Sequence, residues 1–328
     1  MPPTSSAFAS ASASAARDVH GALRLTHTGL IRAAGADAAT FLHGQLTNDF
    51  TGLGLGDARL AAYCSAKGRM YASLIGFKHA HDEFWLACRR EVLAPTLKRL
   101  RMYVLRAKAV LSEADASIAL LGLAGAPAVA ALPGQAATLA VWRKLDVADG
   151  AHLVRLPDGA GQPRWLWAGP AAAAEALLAT LPALPLDHWD WLEVRSGVAP
   201  VLAATSEAFV PQMLNYELVG GVNFHKGCYP GQEIVARSQY RGTLKRRAVL
   251  MHTAAAPLAG QELYWSGDAG QPSGLVALAA PAPDGGHDLI AEIKLAVLEG
   301  GDLHLGGPDG PLLERRPLPY PLPTDATA

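Results

Sequence analysis

The sequence predicts an α+β protein with two antiparallel units of the ferredoxin-like kind and a small β-barrel near its C-terminal end. Two stretches, 21–108 and 117–182, pass through strand-like and helix-like segments in a similar order, which is typical of antiparallel α+β units. After Arg241 the chain changes to short strand-like runs separated by Gly, Pro and Asp, and this favours a barrel or sandwich. A chain of 328 residues, half of them apolar, is long enough for two or three compact domains.

The first unit begins with residues 21–35, which alternate apolar and polar side chains as strands with one buried face do. A short helix follows, and Asp37 is placed to cap it. Its apolar face is predicted from three side chains: Phe41, Leu42 and Leu46. Residues 58–68 read as a second strand, and 69–89 as a hairpin that turns at 79–82.

A second helix is predicted over residues 91–108, because four apolar side chains recur at helical spacing. They are Leu93, Leu97, Leu100 and Val104. Strand-like and helix-like segments return in residues 117–182 and indicate a structural echo of the first unit. The predicted boundaries are 1–18 for a disordered tail, 19–113 for the first unit, 114–243 for the second, 244–316 for the barrel and 317–328 for a proline-rich tail.

Composition excludes several classes of protein. The 28 basic and 29 acidic residues give no global attraction to nucleic acid or to acidic membranes. No apolar run approaches the roughly 20 residues that span a bilayer, and residues 1–16 lack the basic start and apolar core of a secretory signal. We therefore expect a cytoplasmic protein without membrane contact.

Cysteine and histidine usage argues against a metal site. Cys64, Cys88 and Cys228 are too few and too scattered for a disulfide framework, and none stands in a C-x-x-C arrangement. The 11 histidines show no i, i+4 pair on a predicted helix. We expect burial for Cys64 and Cys88, which lie in strand-like segments.

The segment KGCYPGQE, residues 226–233, presents the third cysteine differently. Gly227 and Gly231 allow tight backbone on either side of Cys228, and Tyr-Pro-Gly is typical of a turn. A helix is predicted to start at the following Gln-Glu pair. A bend near a helix N-terminus, with Lys226 adjacent, favours the thiolate form. The alternative is that Cys228 is a small buried apolar residue, and spacing alone cannot place a partner such as His225 beside it.

KGCYPGQE, followed by VAR and RG, resembles the K-G-C-[YF]-x-G-Q-E motif of the YgfZ family, which belongs to the glycine-cleavage T-protein superfamily. Three further segments are similar to the family's pattern: FLHGQLTNDF, YCSAKGRM, and FVPQMLN with GGVNFHKGC. The resemblance covers most of the ordered chain. It implies a ring of three domains around a central opening, with tetrahydrofolate or a derivative as the cofactor.

The resemblance also implies site residues and a role. It places the family's thiol at Cys228, its lysine at Lys226, and the tryptophan of the folate pocket at Trp189. Further candidates for the folate site are Asn48, Asp49, Arg195, Gln232 and Glu233, although Asn48 and Asp49 can equally cap a turn. The implied role is the assembly or repair of iron–sulfur clusters in client enzymes, including those that methylthiolate tRNA. The implied partners are folate and these clients or assembly factors, without direct nucleic-acid binding.

Two departures from the superfamily pattern weaken a one-carbon transferase alternative. The aspartate of true aminomethyltransferases corresponds here to Ala72 or Ser73, and neither can carry its charge. Arg195 stands where the relatives have a glutamate near the pterin, and a guanidinium cannot accept hydrogen bonds. A non-catalytic folate-binding scaffold is a second alternative.

Two clusters of basic residues remain open to interpretation. Each can be a solvated face, or a rim that attracts polyglutamylated folate, an acidic partner protein or tRNA. The first contains Lys98, Arg99, Arg101, Arg106 and Lys108, and the second contains Arg241, Lys245, Arg246 and Arg247.

Overall fold

The computed structural model describes residues 19–240 and 244–323. Within them the chain forms two five-stranded antiparallel sheets and a closed barrel. The predicted α+β class and the C-terminal barrel are therefore confirmed. The predicted tail at 1–18 and the last five residues of the proline-rich tail predicted at 317–328 lie outside the described residues.

The first sheet has the order β3-β4-β5-β2-β6. The chain enters through β1 (Gly21–Arg24), which pairs with the second sheet, and then builds the first. Its strands are β2 (Thr28–Ala34), β3 (Ala58–Cys64), β4 (Met70–Ala80), β5 (Glu83–Arg89) and β6 (Val110–Glu113), with helices α1 (Ala38–Gln45) and α2 (Arg90–Arg101).

The apolar faces predicted for α1 and α2 are buried, because Phe41, Leu42, Leu93, Leu97 and Leu100 are all less than a tenth exposed. Two local predictions were wrong. Asp37 precedes α1 but does not cap it, since its carboxylate accepts the Lys108 backbone N–H instead. Val104 lies beyond the end of α2 at Arg101, in a partly buried turn.

The second sheet has the order β1-β7-β10-β9-β8, so β1 joins the two units. It contains β7 (Ile118–Ala124), β8 (Lys144–Asp146), β9 (His152–Gly159) and β10 (Gln162–Pro170), with helices α3 (Gly125–Ala131), α4 (Ala171–Leu178) and α5 (Leu186–Arg195). α5 packs between β9 and the barrel. A link between the two is the Trp191 indole N–H, which donates to Asp288 Oδ2 at 2.8 Å.

Two 3-10 turns, Ala203–Thr205 and Pro211–Leu214, carry the chain to α6 (Gln232–Tyr240). The barrel follows, closed in the order β11-β14-β13-β12-β15-β16. Its strands are β11 (Arg246–Thr253), β12 (Glu262–Trp265), β13 (Asp268–Pro281), β14 (His287–Lys294), β15 (Leu303–Leu305) and β16 (Leu312–Arg316). Within the described part of the chain, every helix is too short or too polar to cross a membrane.

A large apolar core runs between the inner faces of the two sheets and continues to the barrel. It includes Leu60 and Phe77 of the first sheet, Leu166 of the second, Trp189 of α5 and Ala248 of the barrel. The packing of all three units on one core fixes their arrangement and leaves a cavity where the two sheets face each other.

Candidate functional site

Cys228 is exposed, whereas Cys64 and Cys88 are buried, and none of the three forms a disulfide. The alternative in which the Cys228 thiol packs in the core does not hold in this structure. Burial raises the pKa of both Cys64 and Cys88 to about 12. Those two thiols therefore stay protonated at neutral pH, and among the three it is Cys228 that can meet a solute or a partner.

Lys226 anchors the thiol loop, residues 225–231, to the first unit. Its Nζ donates to the backbone carbonyls of His43 and Leu46, the latter at 3.0 Å, at the C-terminal end of α1. These carbonyls are among the last four of a helix, which lack partners within the helix itself. Half-burial lowers the Lys226 pKa to about 8, although the negative charges of Asp49 and of a Cys228 thiolate act in the opposite direction. Lys226 thus combines an anchoring role with an electrostatic attraction to the thiolate.

Gly231 fits the loop tightly against the turn between β3 and β4. Its φ is +81°, a left-handed value that glycine adopts freely. A Cβ at this position would overlap the Ser65 carbonyl oxygen and the backbone of Gly68. The Gln232 N–H donates to the Tyr229 carbonyl at 3.1 Å and leads directly into α6. The predicted turn and helix start after Cys228 are therefore present, with Glu233 exposed in the first helical turn.

A histidine that the sequence interpretation missed lies at this loop. His43 Nδ1 is 2.8 Å from Asp49 Oδ1, and the Gly227 N–H donates to His43 Nε2 at 3.3 Å. Because Nε2 accepts, the ring proton belongs on Nδ1 and donates to Asp49. His225 is exposed, and its backbone N–H donates to Asn223 Oδ1 at 2.8 Å. His43 falls at the unspecified position of the F-L-x-G-Q segment, so the motif gave no signal for it.

Asp49 and Asn48 both have local structural roles. Asp49 accepts the Gly52 backbone N–H and the Thr51 hydroxyl at 3.0 and 2.8 Å, so it caps a turn. Asn48 is buried and its amide donates to the carbonyls of Leu60 and Gly220, each at 2.7 Å. Asn48 therefore ties residue 220 to the first sheet, and neither side chain is among those that line the central cavity.

The central cavity, of about 80 Å³, lies between the two sheets and α5. One wall is apolar and consists of residues such as Leu60, Ile75, Leu156, Leu166 and Val198. The polar corner is formed by Arg89, Arg164 and Glu193, and Arg89 makes an ion pair with Glu193. A carboxylate acceptor and guanidinium donors beside an apolar wall can orient a flat polar ring.

Trp189 lies on the cavity wall, as the resemblance implies, but its ring is 2% exposed. A Cβ at Gly122 would come within 2.7 Å of the indole, so only glycine leaves room for it. The Arg164 guanidinium lies 5.1 Å from a ring centroid of the same indole. Trp189 is thus at once a core residue and a part of the cavity wall.

Arg195 does not reach the cavity. Its Nη1 lies 3.3 Å from Asp288 Oδ2 of the barrel, and Glu193 lines the cavity instead. The two residues are two apart on α5, about 200° around the helix, so they face opposite sides. Trp189 and Glu193 are four apart and share a face. This i, i+4 spacing was the sequence signal that could have identified Glu193.

Arg164 Nη1, beside the cavity, is buried and has no hydrogen-bond partner among the described residues. Asp190 Oδ1 is also buried, but it lies 3.5 Å from His27 Nε2 and 3.8 Å from Arg89 Nη2 in ionic contacts. Burial, followed by the charge of Glu193, raises the Asp190 pKa to about 7. Unpaired buried donors and acceptors cost free energy unless a ligand or ordered water meets them. This corner is therefore suited to a polar ligand with both donors and acceptors.

Two members of the second basic cluster are paired within the fold. Arg246 Nη1 donates to both carboxylate oxygens of Glu292, at 2.9 and 2.8 Å. Arg247 is buried and pairs with Glu217. Arg241 lies outside the described residues.

Within residues 19–240 and 244–323, no group of three or more His, Cys, Asp or Glu side chains is placed to hold a metal ion.

Comparisons with known proteins agree with this architecture. The family model described as the GCVT N-terminal domain matches residues 3–141. The tRNA-modifying protein YgfZ of Photorhabdus laumondii is 34% identical over 307 residues, which cover 92% of each chain. YgfZ of Cronobacter sakazakii is also 34% identical, over 88% of this chain and 89% of its own. The chain belongs to the YgfZ family.

The fold of this YgfZ-family chain is that of a T-protein. The aminomethyltransferase T of the glycine cleavage system from Bartonella henselae superposes with a TM-score of 0.71, covering 95% of this chain and 89% of that one. Its sequence identity is 19%, so the likeness concerns the fold alone. The three-unit, T-protein-like architecture expected from the resemblance is confirmed.

The His43–Asp49 pair of the YgfZ-family chain predicts an acid-sensitive stability. Burial raises the Asp49 pKa, but the hydrogen bonds from Gly52, Thr51 and His43 outweigh it and lower the pKa from 3.8 to about 2. The ionised carboxylate therefore stabilises the fold above about pH 4, and this contribution disappears as the pH falls through 2. Asp49→Asn should cost roughly 1–2 kcal/mol of unfolding free energy at pH 7 and much less near pH 2.

Urea unfolding at a series of pH values measures this difference. Asp284→Asn, in the exposed turn between β13 and β14, is the matched control and should change the unfolding free energy by less than about 0.5 kcal/mol. If the difference in unfolding free energy between wild type and Asp49→Asn stays constant down to pH 2, the contacts assigned to the Asp49 carboxylate are wrong.

Proposed function

We propose that this protein binds tetrahydrofolate, or a derivative, in the central cavity and assists the assembly or repair of iron–sulfur clusters in client enzymes, with Cys228 as the reacting thiol. The observation that carries the proposal is the exposed Cys228 in a loop anchored by Lys226 and by His43. The curated relatives are named tRNA-modifying proteins, and we propose that the link to tRNA is indirect, through client enzymes that methylthiolate it. Three cysteines without disulfides suit a reducing, cytoplasmic setting.

The thiol loop suits a group that must be reached by another macromolecule. A thiolate can donate an electron pair to an iron ion, or it can attack the outer sulfur of a persulfide and release the donor thiolate. The Lys226 ammonium lies close enough to Cys228 to interact with it electrostatically. The loop is held at its lysine, at the Gly227 N–H and at Gly231. A nucleophile held in this way loses little conformational entropy when it meets its target.

The cavity residues fit the polar head of a folate. The Glu193 carboxylate can accept from the pterin's amino and ring N–H groups, and the unpaired Arg164 Nη1 can donate to its carbonyl oxygen. Bound tetrahydrofolate would supply a one-carbon acceptor or a regulatory ligand. Pockets for such ligands measure roughly 300–1,000 Å³, so we expect the walls of the cavity of about 80 Å³ to move apart on binding.

The one-carbon transferase alternative is less well supported. Ala72 is fully buried, and the Ser73 hydroxyl accepts the Val201 N–H at 2.9 Å. Neither position offers a carboxylate that could steer a cationic amine. Glu193 is already neutralised by Arg89. We therefore place classical aminomethyl transfer behind cluster maintenance.

Loss of the Cys228 thiol should abolish function in cells. In cells that lack this protein, methylthiolation of tRNA measured by mass spectrometry should be restored by the wild-type chain. Cys228→Ala and Cys228→Ser, expressed at equal soluble levels, should leave it at least about 10-fold lower, because neither side chain can form a thiolate. Restoration by Cys228→Ser would show that thiol chemistry is not required.

Folate affinity should depend on Glu193 and not on Arg195. Glu193→Gln loses a charged acceptor in the cavity and should weaken tetrahydrofolate binding by about 10- to 100-fold in calorimetry. Arg195→Gln, on the opposite side of the same helix, is the matched control and should bind within about twofold of wild type. The opposite ranking of the two variants would place the pterin on the barrel side of α5.

A further inference from the structure

The loop after α2 and the first residue of β6 carry an unusual set of exposed apolar side chains. Leu105 is 86% exposed, Val110 70%, Met102 57% and Tyr103 49%. Lys98, Arg101, Arg106 and Lys108 are exposed around them. We name these eight residues the apolar–basic patch. Contiguous exposed apolar groups with a polar rim mark interaction sites in soluble proteins.

Leu105 is held in a strained backbone conformation. Its φ is +44°, in the left-handed region, which is an outlier for a bulky non-glycine residue. Such strain persists where surrounding structure or function requires it. Here the strained residue presents a leucine side chain almost entirely to water, which gives the fold no burial in return.

The chain segment that carries the patch has charges of one sign. Residues 92–112 contain Lys98, Arg99, Arg101, Arg106 and Lys108 but no aspartate or glutamate. Of the two flanking acids, Glu91 is exposed in the first turn of α2, and Glu113 lies 3.3 Å from Arg90 in an ion pair. Asp37 is also near, but its carboxylate receives the Lys108 backbone N–H at 2.7 Å. An acidic partner surface would complement this rim.

Helix α1 connects the apolar–basic patch to the thiol loop. At its N-terminal end, the Asp37 N–H donates to the Lys108 carbonyl at 3.1 Å. At its C-terminal end, the His43 and Leu46 carbonyls receive the Lys226 ammonium. α1 spans Ala38–Gln45, which corresponds to about 12 Å at 1.5 Å per residue. A protein seated on the patch would therefore lie within reach of Cys228.

We propose that the apolar–basic patch is the docking surface for a protein partner with an apolar centre and an acidic rim, and that docking there brings the partner to the Cys228 thiol. Nucleic acid is disfavoured because single-stranded bases stack on aromatic rings, whereas three of the four apolar side chains of the patch are aliphatic and only Tyr103 is aromatic. Met, Tyr and Arg are enriched at protein interfaces. That the partner is an iron–sulfur client rests on the proposed function.

The test uses the full chain and a purified iron–sulfur enzyme that methylthiolates tRNA, from the same organism, in biolayer interferometry. Leu105→Gly removes the side chain and relieves the positive φ, so its melting temperature should not fall. It should weaken the Kd by at least about 10-fold, as should Arg106→Glu. Leu258→Ser is the matched control, since Leu258 is 71% exposed on the barrel, and it should bind within about twofold of wild type.

Three results would overturn the docking surface. The first is that the enzyme does not bind the wild-type chain, and the second is that all variants bind it equally. The third is that the chain binds the substrate tRNA, and that Arg106→Glu abolishes this binding while Leu105→Gly leaves it intact. Cys228→Ala should bind the enzyme normally. If the patch variants also bind normally while Cys228→Ala still fails in cells, the docking surface is wrong and the proposed function stands.

Discussion

The hydrogen bonds from the Lys226 ammonium to the end of α1 are the contact on which the site depends. They join the loop that follows the second unit to the first helix of the first unit, about 180 residues earlier in the chain. The cost of half-burying an ammonium shows in its lowered pKa. The carbonyls at a helix C-terminus offset this cost, because they carry partial negative charge and lack partners within the helix. The position of Cys228 follows from this anchor.

Cys64 lies near a tyrosine of the central cavity and a tyrosine of the thiol loop. Tyr216 lines the cavity and donates its hydroxyl to the Ala199 carbonyl at 2.7 Å, while Tyr229 follows Cys228 and is buried. Burial raises the pKa of both tyrosines, and Cys64 lies close enough to add to both shifts. Cys64 therefore lies where a change in packing around the cavity would reach the residues behind the thiol loop. This arrangement offers a physical route by which folate could influence the thiol.

The sequence was sufficient to predict the fold and the turn of the thiol loop, but not the contacts between residues that are distant in the chain. Periodicity and turn residues predicted most elements, and missed β6, β8 and β16, which are short strands of three to five residues. KGCYPGQE predicted the turn and the helix start, but left open whether the Cys228 thiol is exposed or buried. His43 could not be assigned, because only folding places it beside Gly227. The prediction that Arg195 contributes to the folate site was misleading. Arg195 lies two residues after Glu193, so its side chain faces the barrel side of α5.

The most direct test of the account is native-state alkylation of the full chain with iodoacetamide, followed by peptide mass mapping. We predict that Cys228 is modified rapidly in the folded protein, and that Cys64 and Cys88 are modified only after unfolding, because both are buried and protonated. A Cys228 that reacts no faster than the two buried thiols would contradict the central claim that the anchored loop presents a reactive group to solvent.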